Sequence, residues 1–403
     1  MSTTPSTVKS VFTPSDRLLN VKPYPMAKLL AARDEQVKKG VDVIDLGVGN
    51  PDIRPPQLAI DALKLALEDP KVQNHRYPSF NGLPEYRRAI ARWYQRRFGV
   101  TADPDRETLA LIGSKEGIVK FLLGHLNPGD TILITSPCYP AYIGAAEIAQ
   151  ARVVEVPLPQ KNHFRPDLAS IPTEDARRAK LIVVNFPGNP TGGVETPEFY
   201  GDLLRFAREH DLMVISDIAY CDILLDPSYR TRSFLEFDRD KERSIEFHSL
   251  SKSYSMQGWR IGMAVGNSRG IANLAKMKQN MDFGVFTALQ RAAVAVLDSP
   301  QDYCRQASDM YRGRRDAFLG AIKPLGYDLE PPKAGIYVWM PIPRRYSNSV
   351  DFARDLLEKA GVAVSAGTSF GAAGEGFVRI ALCDDESRLR EAGERMVRAG
   401  LTY

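Results

Sequence analysis

The chain has 403 residues, 44% of them hydrophobic, enough to bury a large core and to divide into two domains. Its 53 basic and 49 acidic side chains leave a formal charge of only +4, which gives no reason to expect nucleic acid. The polar opening from Met1 to Ser10 lacks a signal-length apolar stretch and no run approaches a membrane span, so a cytoplasmic protein with no membrane partner is expected.

Taken in chain order, a strand over Val43–Leu46 leads into the loop Gly47-Val48-Gly49-Asn50-Pro51-Asp52. A helix over Leu83–Phe98 carries the densest basic run, Arg87 to Arg97, but its apolar residues fall at helical spacing, so this is a solvated face. A strand over Thr108–Ile112 meets Gly113-Ser114-Lys115-Glu116-Gly117 and a helix over Ser114–Leu126. Backbone N–H groups at such a helix start, with the Ser114 hydroxyl, attract an anion, although most Gly-Ser pairs are plain helix caps. Strands over Thr131–Thr135 and Val153–Val156 follow.

The strand Leu181–Asn185 enters a loop containing Asn189-Pro190-Thr191-Gly192, and a helix spans Pro197–His210. The strand Leu212–Ser216 is followed by Asp217, with Tyr220 three residues on. The strand Ser244–Phe247 precedes Ser249-Leu250-Ser251-Lys252 and Gly258-Trp259-Arg260, and another strand covers Ile261–Val265. Helices over Val285–Leu297 and Pro300–Ile322 come next, and Pro331-Pro332 breaks the rhythm. The chain closes with a strand over Gly335–Met340, a helix over Ser349–Ala360, a strand over Phe377–Ala381 and a helix over Glu386–Arg398. Strands alternating with helices argue an α/β fold whose mostly parallel sheet is covered on both faces.

One lysine, Lys252, lies between hydroxyl side chains with an arginine, Arg260, eight residues on. A lysine so held can form an imine with an aldehyde cofactor while Ser249, Ser251 and Arg260 grip a phosphate; pyridoxal phosphate needs both. Alone, Lys252 would be one more solvated cation. Asp217 supplies a carboxylate to keep a pyridine nitrogen protonated, where by itself it would be an ordinary helix cap. Asn189 and Tyr220 can donate to a phenolate oxygen, and both polar clusters fall beyond the carboxyl ends of strands, where open α/β sheets bind ligands. Cys138, Cys221, Cys304 and Cys383 lie far apart with no CxxC, so neither a zinc site nor a disulfide framework is indicated. Gly367-Thr368-Ser369-Phe370-Gly371 satisfies G-x-S-x-G, but the glycine-rich stretch after it cannot readily start the helix a nucleophile elbow needs. Gly47-Val48-Gly49 is followed by Asn-Pro-Asp, not by the rest of a dinucleotide fingerprint.

In Asn189-Pro190-Thr191-Gly192, Asp217 with Tyr220, and Ser249-Leu250-Ser251-Lys252 followed by Gly258-Trp259-Arg260, the chain resembles the class I/II aminotransferases of the aspartate-aminotransferase fold, fold type I, from about Pro23 to Ala399. The resemblance implies a seven-stranded sheet in a large domain over residues 50 to 295. Residues 1–49 and 296–403 would form a smaller α+β domain. It implies pyridoxal 5'-phosphate as cofactor, Ser114 and Lys115 at the phosphate, and Tyr139 stacked on the ring. Arg379 matches the arginine for the substrate α-carboxylate, and Gly49 a loop whose backbone approaches the substrate. Tyr77 matches a tyrosine reaching the phosphate of a neighbouring subunit, which would make the active unit a homodimer with shared sites.

On this resemblance Lys252 is general base and acid, and an amino group moves from an amino acid to a 2-oxo acid in ping-pong fashion. The segments Asn74 to Ser79, Gly113 to Gly117 and Glu246 to Lys252 are most similar to LL-diaminopimelate aminotransferases, with alanine (glutamate–pyruvate) aminotransferases next; Tyr24 and Gly49 would then border the substrate. Asp282-Phe283-Gly284-Val285-Phe286-Thr287 departs from the first group in lacking its substrate-contacting asparagine, and holds no arginine for an aspartate-type pocket. A β-lyase on the same fold shares the core motifs, whereas a regulator that only binds the cofactor would need an added DNA-binding domain.

Overall fold

A computed structural model describes residues 12–23, 25–70 and 73–403. Its strands, in chain order, are β1 (Ile44–Asp45), β2 (Thr108–Leu111), β3 (Thr131–Ser136), β4 (Arg152–Pro157), β5 (Ala179–Asn185) and β6 (Met213–Asp217). They continue with β7 (Ser244–Ser249), β8 (Gly262–Gly266), β9 (Tyr337–Pro341), β10 (Val362–Ala363), β11 (Ser365–Ala366) and β12 (Phe377–Ala381). Seven of them form one sheet in the order β2-β8-β7-β6-β5-β3-β4. Pairing is parallel through β7, β6, β5, β3 and β4, while β8 runs against both its neighbours.

The strands are runs of Val, Ile and Leu because the central sheet is buried on both faces. Their side chains divide with period two. Leu109, Ile132, Ile134, Leu181, Val183 and Ile215 pack with Ile118, Phe121 and Tyr142 from the helices Ser114–His125 and Ala141–Ile148. Leu133, Ile182, Val184 and Val214 point the other way, onto Tyr200 and Leu203 of the helix Pro197–Glu209. That helix starts where Thr196 accepts a hydrogen bond from the Phe199 N–H (3.2 Å) and Pro197 occupies the first turn, a cap worth about 1 kcal/mol.

A second core gathers Ile44 and Leu46 with residues from β9, β10, β12 and the helices Asp302–Ile322, Ser349–Ala360 and Glu386–Arg398. Here β12 lies antiparallel between β11 and β9, and β1 pairs in parallel with β10. Ala219, Tyr220, Ile223 and Leu225, which follow β6, enter this core and tie it to the large sheet. The doubly covered sheet is thus an α/β fold with a smaller mixed layer against it.

The expected strands and helices all form, with ends that differ by at most two residues. Two differences bear on the site: β6 runs on to include Asp217 and β7 to include Ser249, so both are held by sheet pairing and not by a loop. The glycine-rich stretch after Ser369 makes only a three-residue turn, Ala372–Gly374, and no elbow-bound helix. Among the described residues no helix is long and apolar enough to cross a membrane, and the four cysteines are unpaired.

Candidate active site

The sheet delivers its polar residues to one edge. Asn185 and Asp217 end β5 and β6 and face each other in register, and Ser249 ends β7 beside them. Because β8 is reversed, its amino end reaches the same edge, which places Arg260 there just before Gly262. The helix Ser114–His125 begins at this edge as well. Between this edge and the second core lies a cavity of about 380 Å³.

Its lining brings together Gly49, Ser114, Lys115, Tyr139, Asn189, Asp217, Tyr220, Ser249, Ser251, Lys252, Arg260 and Arg379 from segments scattered over the whole sequence. Tyr77 is not among them: its ring is 82% exposed and rests on Phe283, centroids 4.7 Å apart. Tyr24 lies outside the described residues.

Asp217 is buried; its Oδ2 accepts from the Tyr142 hydroxyl (2.6 Å) and its Oδ1 from the Ala219 N–H (3.1 Å). Burial nevertheless pushes its carboxyl up to about 6, so the site rewards a cation placed beside it. Lys252 donates to the Gly49 carbonyl (2.6 Å), and burial, the largest cause, lowers its amine to about 8. A lysine poised there is available both as nucleophile and as base near neutrality.

Arg379, 4% exposed, donates to Asn189 Oδ1 (2.9 Å) and to the Gly47 carbonyl (2.7 Å), while its Nε has no acceptor. A buried guanidinium held only by neutral oxygens is a receptor for an anion. Ser249 Oγ donates to Ser251 Oγ (2.9 Å), and Arg260 donates to the Gln257 carbonyl (2.8 Å) with Ser251 Oγ at 3.5 Å. Arg260 adopts φ 55°, a strained conformation for a long side chain, and lies so close to Gly113 that a Cβ there would sit 2.4 Å from Nη2.

Reading the sequence alone missed Tyr142, Asn185, Tyr337 and Phe370, all of which line the cavity. Tyr142 carried one signal, its three-residue spacing from Tyr139 at a helix start. Cys221, Asp222 and His248 also meet, buried, outside the cavity lining. There Arg97 Nε pairs with Asp222 Oδ1 (3.0 Å) and the His248 Nδ1 faces the Ile218 carbonyl (3.2 Å).

A protein-family model for aminotransferase class I and II matches residues 41–396. The chain belongs to the class I and II aminotransferases. An LL-diaminopimelate aminotransferase of Desulforudis audaxviator is 46% identical over 385 residues, covering 96% of this chain and 97% of that one. The protein of the same name from Aquifex aeolicus is 44% identical over 382 residues, covering 95% and 98%. Among solved structures, substrate-bound BacF from Bacillus subtilis superposes with a TM-score of 0.92 at 34% identity, covering 97% of this chain and 98% of that one. A Thermus thermophilus aspartate aminotransferase mutant gives 0.90 at 31% identity, covering 96% and 99%.

This aminotransferase is an enzyme that works with pyridoxal phosphate, and its cavity suits that group. Four cationic side chains, Lys115, Lys252, Arg260 and Arg379, line it against one carboxylate, Asp217, an excess of positive charge that matches a phosphate and a carboxylate together. When bound, the cofactor supplies an aldehyde carbon open to a lysine amine and a ring that accepts electrons from the substrate's α-carbon.

Proposed function

We propose that this enzyme transfers the amino group of LL-diaminopimelate to a 2-oxo acid by a ping-pong sequence, serving lysine biosynthesis in the cytoplasm. The observation that carries the reading is the 46% identity, over 96% of the chain, to a relative bearing that name. Alanine aminotransfer is the second reading, favoured by the stretch 282–287. There Asp282 is held by Lys278 (3.2 Å) and Lys120, and no asparagine is present.

In the roles we assign, Ser114, Lys115, Ser249, Ser251 and Arg260 hold the phosphate and Tyr139 covers the ring. Asp217 holds the ring nitrogen's proton; Asn189 and Tyr220 donate to the phenolate oxygen. Arg379 grips the α-carboxylate with its fork, setting the Cα–H bond toward Lys252, while the Gly49 backbone borders the substrate. Lys252, once its amine is free, would take the Cα proton and deliver it to the carbon that was the cofactor's aldehyde, across the nitrogen from Cα. The large domain would cover residues 50–295 and the small one residues 1–49 and 296–403, a division supported by the second core. Two copies would form a homodimer in which Tyr77 serves its neighbour's site.

Half-reactions test the substrate: each amino acid is added to the purified enzyme and the loss of its visible absorption is followed. A response to LL-diaminopimelate and not to alanine supports the first reading, and the reverse supports the second. Adding 2-oxoglutarate and finding no amino acid product would point to a lyase.

A further inference from the structure

Tyr337, which none of the sequence motifs include, touches two residues of the proposed machinery, Tyr220 and Arg379. Its hydroxyl lies 3.0 Å from the Tyr220 hydroxyl, in a fully buried contact. Its ring carries the Arg379 guanidinium, whose central carbon lies 4.2 Å from the Tyr337 ring centroid and 4.5 Å from that of Phe370. The fold imposes this arrangement. In the antiparallel pair β9–β12 Arg379 faces Trp339, so Tyr337, two residues along the same strand face, is its diagonal neighbour. Gly49 completes it, because a Cβ at that position would lie 2.0 Å from Tyr337 Oη.

We infer that Tyr337 is a positioning residue with two separable tasks: its hydroxyl polarises Tyr220, and its ring, with Phe370, fixes the plane of the Arg379 fork. The inference rests on the roles proposed above for Tyr220 and Arg379. The direction of the hydrogen bond follows from charge. A guanidinium on the face of Tyr337 makes that phenol the better donor, so Tyr337 donates to Tyr220 Oη and the Tyr220 proton is left for the cofactor's phenolate oxygen. A phenol that accepts one hydrogen bond donates a stronger one, which favours the phenolate and keeps the Lys252 imine less basic. The two rings act differently. They crowd the guanidinium, two of whose N–H groups are already tied to Asn189 and Gly47. The groups that face the Tyr220–Tyr337 pair electrostatically are Arg379 and Asp217, and those around Lys252 are Cys383, Arg379 and Arg260, all unchanged in the variants below.

Three variants of the cofactor-loaded enzyme separate the tasks, with Tyr220→Phe as reference. The first readout is the pH midpoint of the bound cofactor's visible absorption change, taken without substrate. The second is kcat and KM with L-glutamate as amino donor. Tyr337→Phe keeps the ring and should raise the midpoint by roughly half a pH unit, less than Tyr220→Phe does, with KM within about twofold of the parent. Phe370→Leu should leave the midpoint in place and raise KM about tenfold, with a smaller effect on kcat. Tyr337→Leu should do both. A Tyr337→Phe midpoint equal to the parent's, beside a shifted Tyr220→Phe, would overturn the hydroxyl's task while leaving the Tyr220 role intact. Unaltered KM in both leucine variants would overturn the ring's task. A silent Tyr220→Phe would sink the underlying role and the inference with it.

Discussion

At the scale of single residues, the site works by holding two groups away from their ordinary ionisation. Lys252 is lowered to about 8 chiefly by burial, and in the role proposed for it the amine serves covalent attachment and proton movement while the phosphate contacts do not depend on it. Lys252→Ala should therefore still bind pyridoxal phosphate, without covalent attachment, and lose turnover by at least about a thousandfold; normal turnover by that variant would refute the assignment. Asp217 gives a pH prediction whose sign follows from burial. Burial pushes its carboxyl up to about 6, and in the role proposed for it only the ionised form pairs with a cationic ring nitrogen. Binding favours ionisation, so protonation competes with the cofactor. Affinity for pyridoxal phosphate should fall as pH drops through about 6, and Asp217→Asn should flatten that limb. Fluorescence titration of the cofactor-free protein at a series of pH values checks both curves.

At the scale of elements, the catalytic edge is a consequence of strand direction, and the strands are supported by a buried acid the chemistry does not use. Glu246 in β7 accepts from Ser233 Oγ (2.6 Å), Ser216 Oγ (2.9 Å) and the Phe234 N–H (3.0 Å), yet burial raises its carboxyl to about 7. Between its ordinary value of 4.5 and about 7 the folded state holds a proton that the unfolded chain releases, so its contribution to stability falls as pH rises across that window. Glu246→Gln stays neutral throughout. Its Tm relative to the parent should be higher at pH 8 than at pH 5, and a pH-independent difference would rule the explanation out. The sheet was legible in the sequence because strands buried on both faces are short apolar runs, and the helix Pro197–Glu209 because Thr196 and Pro197 announce it. The helix Ala141–Ile148 was not, since AYIGAAEI has no polar face to set a period. Nor was Gln57–Glu68, whose Leu58, Leu65 and Leu67 stay exposed and blur the stripe. Within the site, Lys252, Asp217 and Arg260 stand in compact motifs. Tyr142 and Tyr337 act through partners 75 and 117 residues away, a relation that only the folded chain creates.

For the whole molecule, the surface carries an apolar group that a monomer has no use for. Tyr77, Phe283 and Phe286 are 82%, 57% and 40% exposed, and Met281 is 53% exposed beside them in sequence. Phe283 touches both Tyr77 and Phe80, with centroids 4.7 and 5.7 Å apart, so these three rings form a contiguous cluster. Exposed aromatic clusters mark contact surfaces, because water is expelled from them at little entropic cost to the rigid rings. The proposed homodimer gives this cluster a partner and gives Tyr77, which stands outside its own chain's cavity, a phosphate to reach. A carboxylate at the centre of such a contact is stranded when the surfaces close and unhindered when they part. Phe283→Asp should therefore move the mass seen by light scattering from dimer toward monomer, with the fold unchanged by circular dichroism. Tyr77→Phe should remain dimeric and bind pyridoxal phosphate several-fold more weakly, the loss of one hydrogen bond to a charged group. The two variants answer different questions. A dimer that survives Phe283→Asp would remove the cluster from the interface, and undiminished cofactor affinity in Tyr77→Phe would remove the shared site while leaving the dimer standing.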